Sequence, residues 1–110
     1  MTPVSDALVA ALRSALDHDR VRTSSTELGL YRRDASNIEG AAGVVCFPLT
    51  RDEVRAVVRL AVEHDTAFVA RGAGTGLAGG ATPIGGAVVI ALTKMNRVLS
   101  VDVDNRLAWV

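Results

Sequence analysis

Aromatic residues make up only 4% of this 110-residue chain, so its core must be built from Val, Leu, Ile and Ala, within a hydrophobic share of 49%. That share argues against disorder. Cys46 is the only cysteine, which excludes an internal disulfide and any multi-cysteine metal site. It stands in Val44-Val45-Cys46-Phe47, a setting for a small buried hydrophobe rather than a reactive thiol. Neither sign of charge is in excess: Lys+Arg and Asp+Glu both number 12, which gives no electrostatic reason to expect a nucleic acid or a membrane surface as partner. No apolar run approaches a membrane span. The start, Met1-Thr2-Pro3-Val4-Ser5-Asp6, lacks the basic residues and long apolar stretch of a secretory signal, and the expected location is cytoplasmic. No metal constellation is present. The length suits one small domain or part of a larger one.

What is there begins with a helix from Val4 to about Asp17, capped by Ser5, with Leu8, Leu12, Ala15 and Leu16 on one face. Arg20 to Gly40 shows no sustained period and reads as extended chain or loop. Gly43–Phe47 is a short β-branched run closed by Pro48, consistent with a buried strand. Thr50-Arg51-Asp52-Glu53 then forms a capping box, in which Thr50 accepts from the Glu53 N–H and Glu53 reaches back to Thr50. Behind it, Val54, Val57, Val58 and Ala61 line one face of a helix running to about His64-Asp65. Ala67–Ala70 follows as a strand, making a β-α-β unit whose short crossover predicts neighbouring parallel strands. Ala87–Leu92 reads as a buried strand. Val98–Val103 alternates, with Leu99, Val101 and Val103 on the face suited to the core. Asp104-Asn105 is a turn signal, and Arg106–Val110 returns as a strand. Its apolar ending predicts a chain cut inside a sheet.

Between the strands at Ala67 and Ala87 lies Arg71-Gly72-Ala73-Gly74-Thr75-Gly76-Leu77-Ala78-Gly79-Gly80. Five of these ten residues are glycine, half of the 10 in the chain, and such density is entropically costly without a reason. A tight path with positive φ at several positions makes successive N–H groups converge on an anion. Thr75 can add a hydroxyl, and Arg71 either a positive charge or a salt bridge that fixes the loop. A flexible surface loop would carry Ser, Asn, Asp or Lys in place of Ala and Leu. A P-loop needs a Gly-Lys pair that is absent. Gly74-Thr-Gly76-Leu-Ala-Gly79 fits G-x-G-x-x-G, but no helix of useful length can follow before Ala87, as a dinucleotide-binding turn demands. A pyrophosphate loop between two strands fits every local feature.

The run Val69–Ala81, with Gly85-Gly86, Thr93-Lys94-Met95-Asn96-Arg97 and the upstream Phe47-Pro48-x-Thr50-x-x-Glu53-Val54, resembles the FAD-binding domain of the p-cresol methylhydroxylase/vanillyl-alcohol oxidase superfamily. Within it, the resemblance is nearest to the group of glycolate oxidase and D-lactate dehydrogenase. It implies an α+β fold, the N-terminal part of a PCMH-type domain in which a β-α-β unit leads to the glycine-rich loop and further strands. The chain then divides into an N-terminal helix and lead-in over 1–40 and the FAD-binding domain over 41–110, truncated at its C-terminal end. The resemblance assigns Arg71, Gly72, Ala73, Gly74, Thr75, Gly76, Gly79 and Gly80 to FAD. Thr75 stands where some relatives carry a histidine that tethers the flavin, so noncovalent binding is implied.

The activity implied is oxidation of a small 2-hydroxy acid such as glycolate or D-lactate. The electron acceptor is left open among a quinone, a cytochrome, an iron–sulfur partner and oxygen, and no catalytic base can be named. The contrasting readings are a truncated, non-catalytic nucleotide-binding fragment and a module that prefers NAD. Tyr31-Arg32-Arg33-Asp34-Ala35-Ser36 resembles an N-terminal motif of the same flavoenzymes. Its residues alone suggest a turn capped by Asp34 or Ser36, with Tyr31 packed over the sheet.

Overall fold

In the computed structural model, which describes residues 2–110, the helices begin where polar caps stand. Ser5 accepts from the Leu8 N–H at 3.1 Å and opens α1, Asp6–Ala15. Leu8 and Leu12 are wholly buried, each contributing about 1.5–3 kcal/mol of transfer free energy. Ala15 is exposed instead of joining that face, because the helix stops there. Leu16 reaches the core from extended backbone. A 3-10 turn, His18–Arg20, leads into β1, Val21–Arg22.

The expected loop from Arg20 to Gly40 contains a helix, α2, Ser25–Leu30. Its signal was local: Ser24 accepts from the Glu27 N–H at 3.3 Å and donates to the Glu27 carboxylate at 2.8 Å. This is the Ser-x-x-Glu pattern of a helix start. α3, Arg51–Glu63, is capped by Thr50 as expected. Glu53, however, reaches back to the Leu49 N–H at 2.7 Å rather than to Thr50, and both its oxygens also bind Arg20.

The main sheet has the order β1-β2-β4-β3, where β2 is Ala42–Cys46, β3 is Phe68–Arg71 and β4 is Ala87–Ala91. β1 runs antiparallel to β2, whereas β4 is parallel to both β2 and β3. The expected pairing of β2 with β3 is therefore overturned, since β4 lies between them. All five β4 residues are buried while β3 alternates exposed and half-buried positions. A continuous apolar strand gains most where both faces and both edges are covered, and Arg71 suits an edge. α1 and α3 cover one face over Val44, Cys46, Val88 and Ile90. Leu28, Tyr31 and Phe47 pack against Val45, Val89 and Ala91 on the other.

β5, Ser100–Asp102, and β6, Leu107–Trp109, form a separate antiparallel pair. Leu99, Val101 and Val103, expected in the core, are 60%, 66% and 78% exposed. Two strands make only one layer, and no second layer in the described chain covers it. The turn is closed by Asp102, which accepts from the Asn105 backbone and side chain at 3.1 and 2.8 Å.

Cys46 is fully buried, and desolvation pushes its thiol up to about 12. The thiolate is the nucleophile, so the native chain at pH 8 is expected to resist iodoacetamide and to be labelled once unfolded in guanidinium. Rapid labelling of the folded chain would refute this burial.

Candidate functional site

The glycine-rich segment leaves the C-terminal end of the edge strand β3 and returns, without forming a helix, to the start of β4. The absence of a helix agrees with a loop between strands and not with a dinucleotide-binding turn. Gly72, Ala73, Thr75, Gly76, Leu77, Ala78 and Gly80 are exposed, whereas Arg71, Gly74 and Gly79 are half-buried. The N–H groups of residues 73–78 have no acceptor among the described residues.

The glycines serve different ends. Gly74 has φ +73°, and a Cβ there would collide with the Arg71 guanidinium. Gly79 has φ +79°, and its Cβ would meet the Ile38 methyl at 3.2 Å and the Ser36 hydroxyl at 3.6 Å. Gly72 and Gly80 have neither constraint: their φ lies outside the left-handed region, and nothing stands within 4 Å of a Cβ. Nothing in the chain itself requires glycine at these two positions, and both are open to a ligand backing onto the main chain.

Arg71 points back into the protein. Its Nη1 donates to the Arg33 carbonyl at 2.8 Å, and its guanidinium lies 5.2 Å from the centre of the Tyr31 ring. Tyr31 in turn packs edge-on against Phe47, with centroids 5.9 Å apart. Arg71 thus fixes the loop through a carbonyl and a ring. Thr75 keeps its hydroxyl exposed. Lys94 lies 5.7 Å from the Phe47 ring centre on the same side of the sheet as Tyr31.

The loop rests on a second segment, Asp34–Ile38. The Ala35 N–H donates to the Gly76 carbonyl at 3.0 Å, and the Thr82 hydroxyl donates to the Ile38 carbonyl at 3.2 Å. Asp34, only 6% exposed, accepts from the Ser36 N–H at 2.8 Å. The Ser36 hydroxyl and backbone hold its carboxyl below the usual carboxylate range, against the opposing effect of burial. The Tyr31–Ser36 motif is therefore a turn capped through Asp34, with Tyr31 over the sheet. Its contact with the loop, more than 30 residues away, had no sequence signal beyond the motif itself. His64 closes α3, its Nδ1 lying 2.9 Å from the Leu60 carbonyl. His18 is exposed.

Among the described residues no His/Cys/Asp/Glu group could hold a metal ion, and no helix is long and apolar enough to cross a membrane. A glycine loop with unspent amides at the carboxyl end of a parallel strand in this mixed sheet suits a phosphate-bearing cofactor. Residues 42–110 match the FAD binding domain family, and the chain belongs to that family. Its cofactor is FAD.

The chain is 52% identical over 77 residues to a D-lactate dehydrogenase of Anaerostipes hadrus, covering 68% of this chain and 16% of that protein. To a D-2-hydroxyglutarate dehydrogenase of Stutzerimonas stutzeri (strain A1501) it is 31% identical over 103 residues, covering 93% of this chain and 22% of that protein. Among solved structures, p-cresol methylhydroxylase with substrate bound superposes with a TM-score of 0.77 at 26% identity, over 92% of this chain and 22% of that one. The α+β, PCMH-type fold expected from the sequence is thus present. The chain spans about a fifth of the length of these relatives.

Proposed function

We propose that this chain is the loop-bearing part of an FAD-dependent oxidoreductase acting on a small 2-hydroxy acid, and that it holds FAD noncovalently against Arg71–Gly80. The observation that carries the reading is the glycine loop itself, with Gly72 and Gly80 open and the N–H groups of residues 73–78 unspent. A pyrophosphate needs such close backbone approach and such donors. In this reading Gly72–Gly76 face the pyrophosphate, Thr75 offers a hydroxyl, and Arg71 holds the loop from beneath. FAD when bound supplies the acceptor for a hydride from the hydroxyl-bearing carbon. The substrate class, exemplified by D-lactate and D-2-hydroxyglutarate, comes from the names of the relatives. The location in this reading is the cytoplasm. The electron acceptor stays undivided among quinone, cytochrome, iron–sulfur partner and oxygen.

The test is titration of FAD into the chain, following the flavin spectrum, with NAD as competitor, then acid precipitation. Saturable binding that NAD does not displace, with the flavin left in the supernatant, is the expected result. Tighter binding of NAD, or flavin carried down with the protein, would overturn the assignment or its noncovalent form. The alternative is a nucleotide-binding piece without turnover; the chain spans 16–22% of these relatives. Adding D-lactate and a dye acceptor to the FAD-loaded chain separates the two, since dye reduction requires catalysis.

A further inference from the structure

Leu77 stands in the middle of the glycine-rich loop and is 81% exposed, more than any other described large apolar residue except Val110. A single exposed leucine is ordinary, but this one has a neighbour of the same kind. Ile38 is 57% exposed, and its methyl lies 3.2 Å from where a Cβ of Gly79 would stand, two residues beyond Leu77. One residue before Leu77, the Gly76 carbonyl accepts from the Ala35 N–H at 3.0 Å. Residues 35–38 therefore run beside residues 76–79, and two exposed aliphatic side chains stand on adjoining stretches of chain.

The N–H groups flanking Leu77, those of Gly76 and Ala78, have no acceptor among the described residues. The rings nearby offer no comparable surface: Tyr31 and Phe47 are half-buried, with Arg71 over one and Lys94 over the other. Unspent amides beside aliphatic surface suit a ligand with both characters. A bare phosphate uses the amides alone. FAD carries its pyrophosphate between two flat rings, isoalloxazine and adenine, and a ring face laid on a leucine removes apolar area of both from water.

We propose that Leu77, with Ile38 beside it, is the apolar ledge on which one flat ring of the cofactor rests. The loop then recognises a phosphate joined to an aromatic ring, and not phosphate alone. This rests on the reading of the loop as the FAD site and adds a contact residue to it. Because Leu77 is exposed in the free chain, removing its side chain costs the fold little. Its loss is felt only when a ligand would cover it, which separates a role in binding from a role in the structure.

The experiment titrates FAD, ADP, flavin mononucleotide and inorganic pyrophosphate into the full chain and its Leu77→Ser variant, and sediments both. The expected result is an FAD dissociation constant raised about tenfold, as for a partly covered leucine. The pyrophosphate constant and the thermal midpoint of the free chain stay unchanged. A loss shared by ADP identifies the ring as adenine, and one shared by flavin mononucleotide identifies it as isoalloxazine. Leu77→Met restores the affinity, and Ile38→Ser lowers it in the same direction. FAD bound as tightly by Leu77→Ser as by the wild type would overturn the proposal, as would an equal loss of pyrophosphate, which would mean that the amides had moved. A variant with unchanged affinity that sediments as a smaller species would assign Leu77 to a contact between copies. A wild-type chain that binds pyrophosphate but not FAD would remove the FAD reading and this contact with it.

Discussion

Replacing Gly74 by alanine is expected to weaken FAD binding about a hundredfold, equivalent to about 2.7 kcal/mol. Two costs combine. The residue sits at φ +73°, where a Cβ costs about 1–2 kcal/mol. The new methyl also collides with the Arg71 guanidinium, which cannot withdraw without giving up the Arg33 carbonyl and the Tyr31 ring. Those contacts are worth about 0.5–1.5 kcal/mol for the hydrogen bond and about 0.5–1 kcal/mol for the cation–π pair. A double variant, Gly74→Ala with Arg71→Ala, should therefore lose less than the sum of the two single losses.

Gly72→Ala serves as the contrast. With no neighbour within 4 Å and no left-handed φ, it is expected to leave the thermal midpoint unchanged while FAD affinity falls. A Gly72→Ala chain that binds FAD as tightly as the wild type would show that the pyrophosphate does not lie against that position.

The second large effect concerns stability. Arg20 is 7% exposed and its guanidinium meets both Glu53 oxygens, at 2.5 and 3.0 Å, as well as Asp17 at 3.3 Å and the Phe47 carbonyl at 3.1 Å. Glu53→Ala leaves that buried cation with one carbonyl and the largely exposed Asp17. It also strips the Leu49 N–H of its acceptor. Breaking a buried pair from one side costs about 3–5 kcal/mol, and the partial exposure of Glu53 puts this case near the lower end, about 3 kcal/mol.

The pH dependence has a definite sign. The Arg20 hydrogen bond is the largest cause lowering the Glu53 carboxyl below its ordinary 4.5. Its contribution is therefore complete above that value and is lost as the pH falls through the lower, folded-state value. The raised Arg20 pKa lies above the pH range in question and adds no dependence there. Denaturant unfolding at pH 7 and pH 3 should show a smaller acid loss in Glu53→Ala than in the wild type. Equal losses would remove Glu53 as a source of acid sensitivity.

What sequence alone determined here is what depends on neighbours a few residues apart. The caps of α1 and α3, the helical face with Val57 and Ala61, the apolar run of β4 and the helix-free glycine loop are of this kind. Ser24 and Glu27 belong with them, because the start of α2 was written in four residues. The packing of distant segments was decided only by the tertiary structure. β4 enters between β2 and β3 because five consecutive apolar residues gain most at the sheet centre. Arg20 and Glu53 are 33 residues apart, and their pairing follows from the turn before β1 lying against the end of β2, where the Phe47 N–H donates to the Arg20 carbonyl at 3.0 Å just ahead of α3. Arg71 looked like a candidate for the ligand, yet the fold turns it onto Tyr31 and Arg33. Asp34 looked like a turn residue, yet the fold buries it beneath Gly76. The alternation of Leu99, Val101 and Val103 is a true strand signal, but burial requires a second layer, and a local pattern carries no information about whether one is there. The glycine loop was legible because its composition is itself the constraint, whereas the residues that hold it in shape come from a segment the chain visits long before.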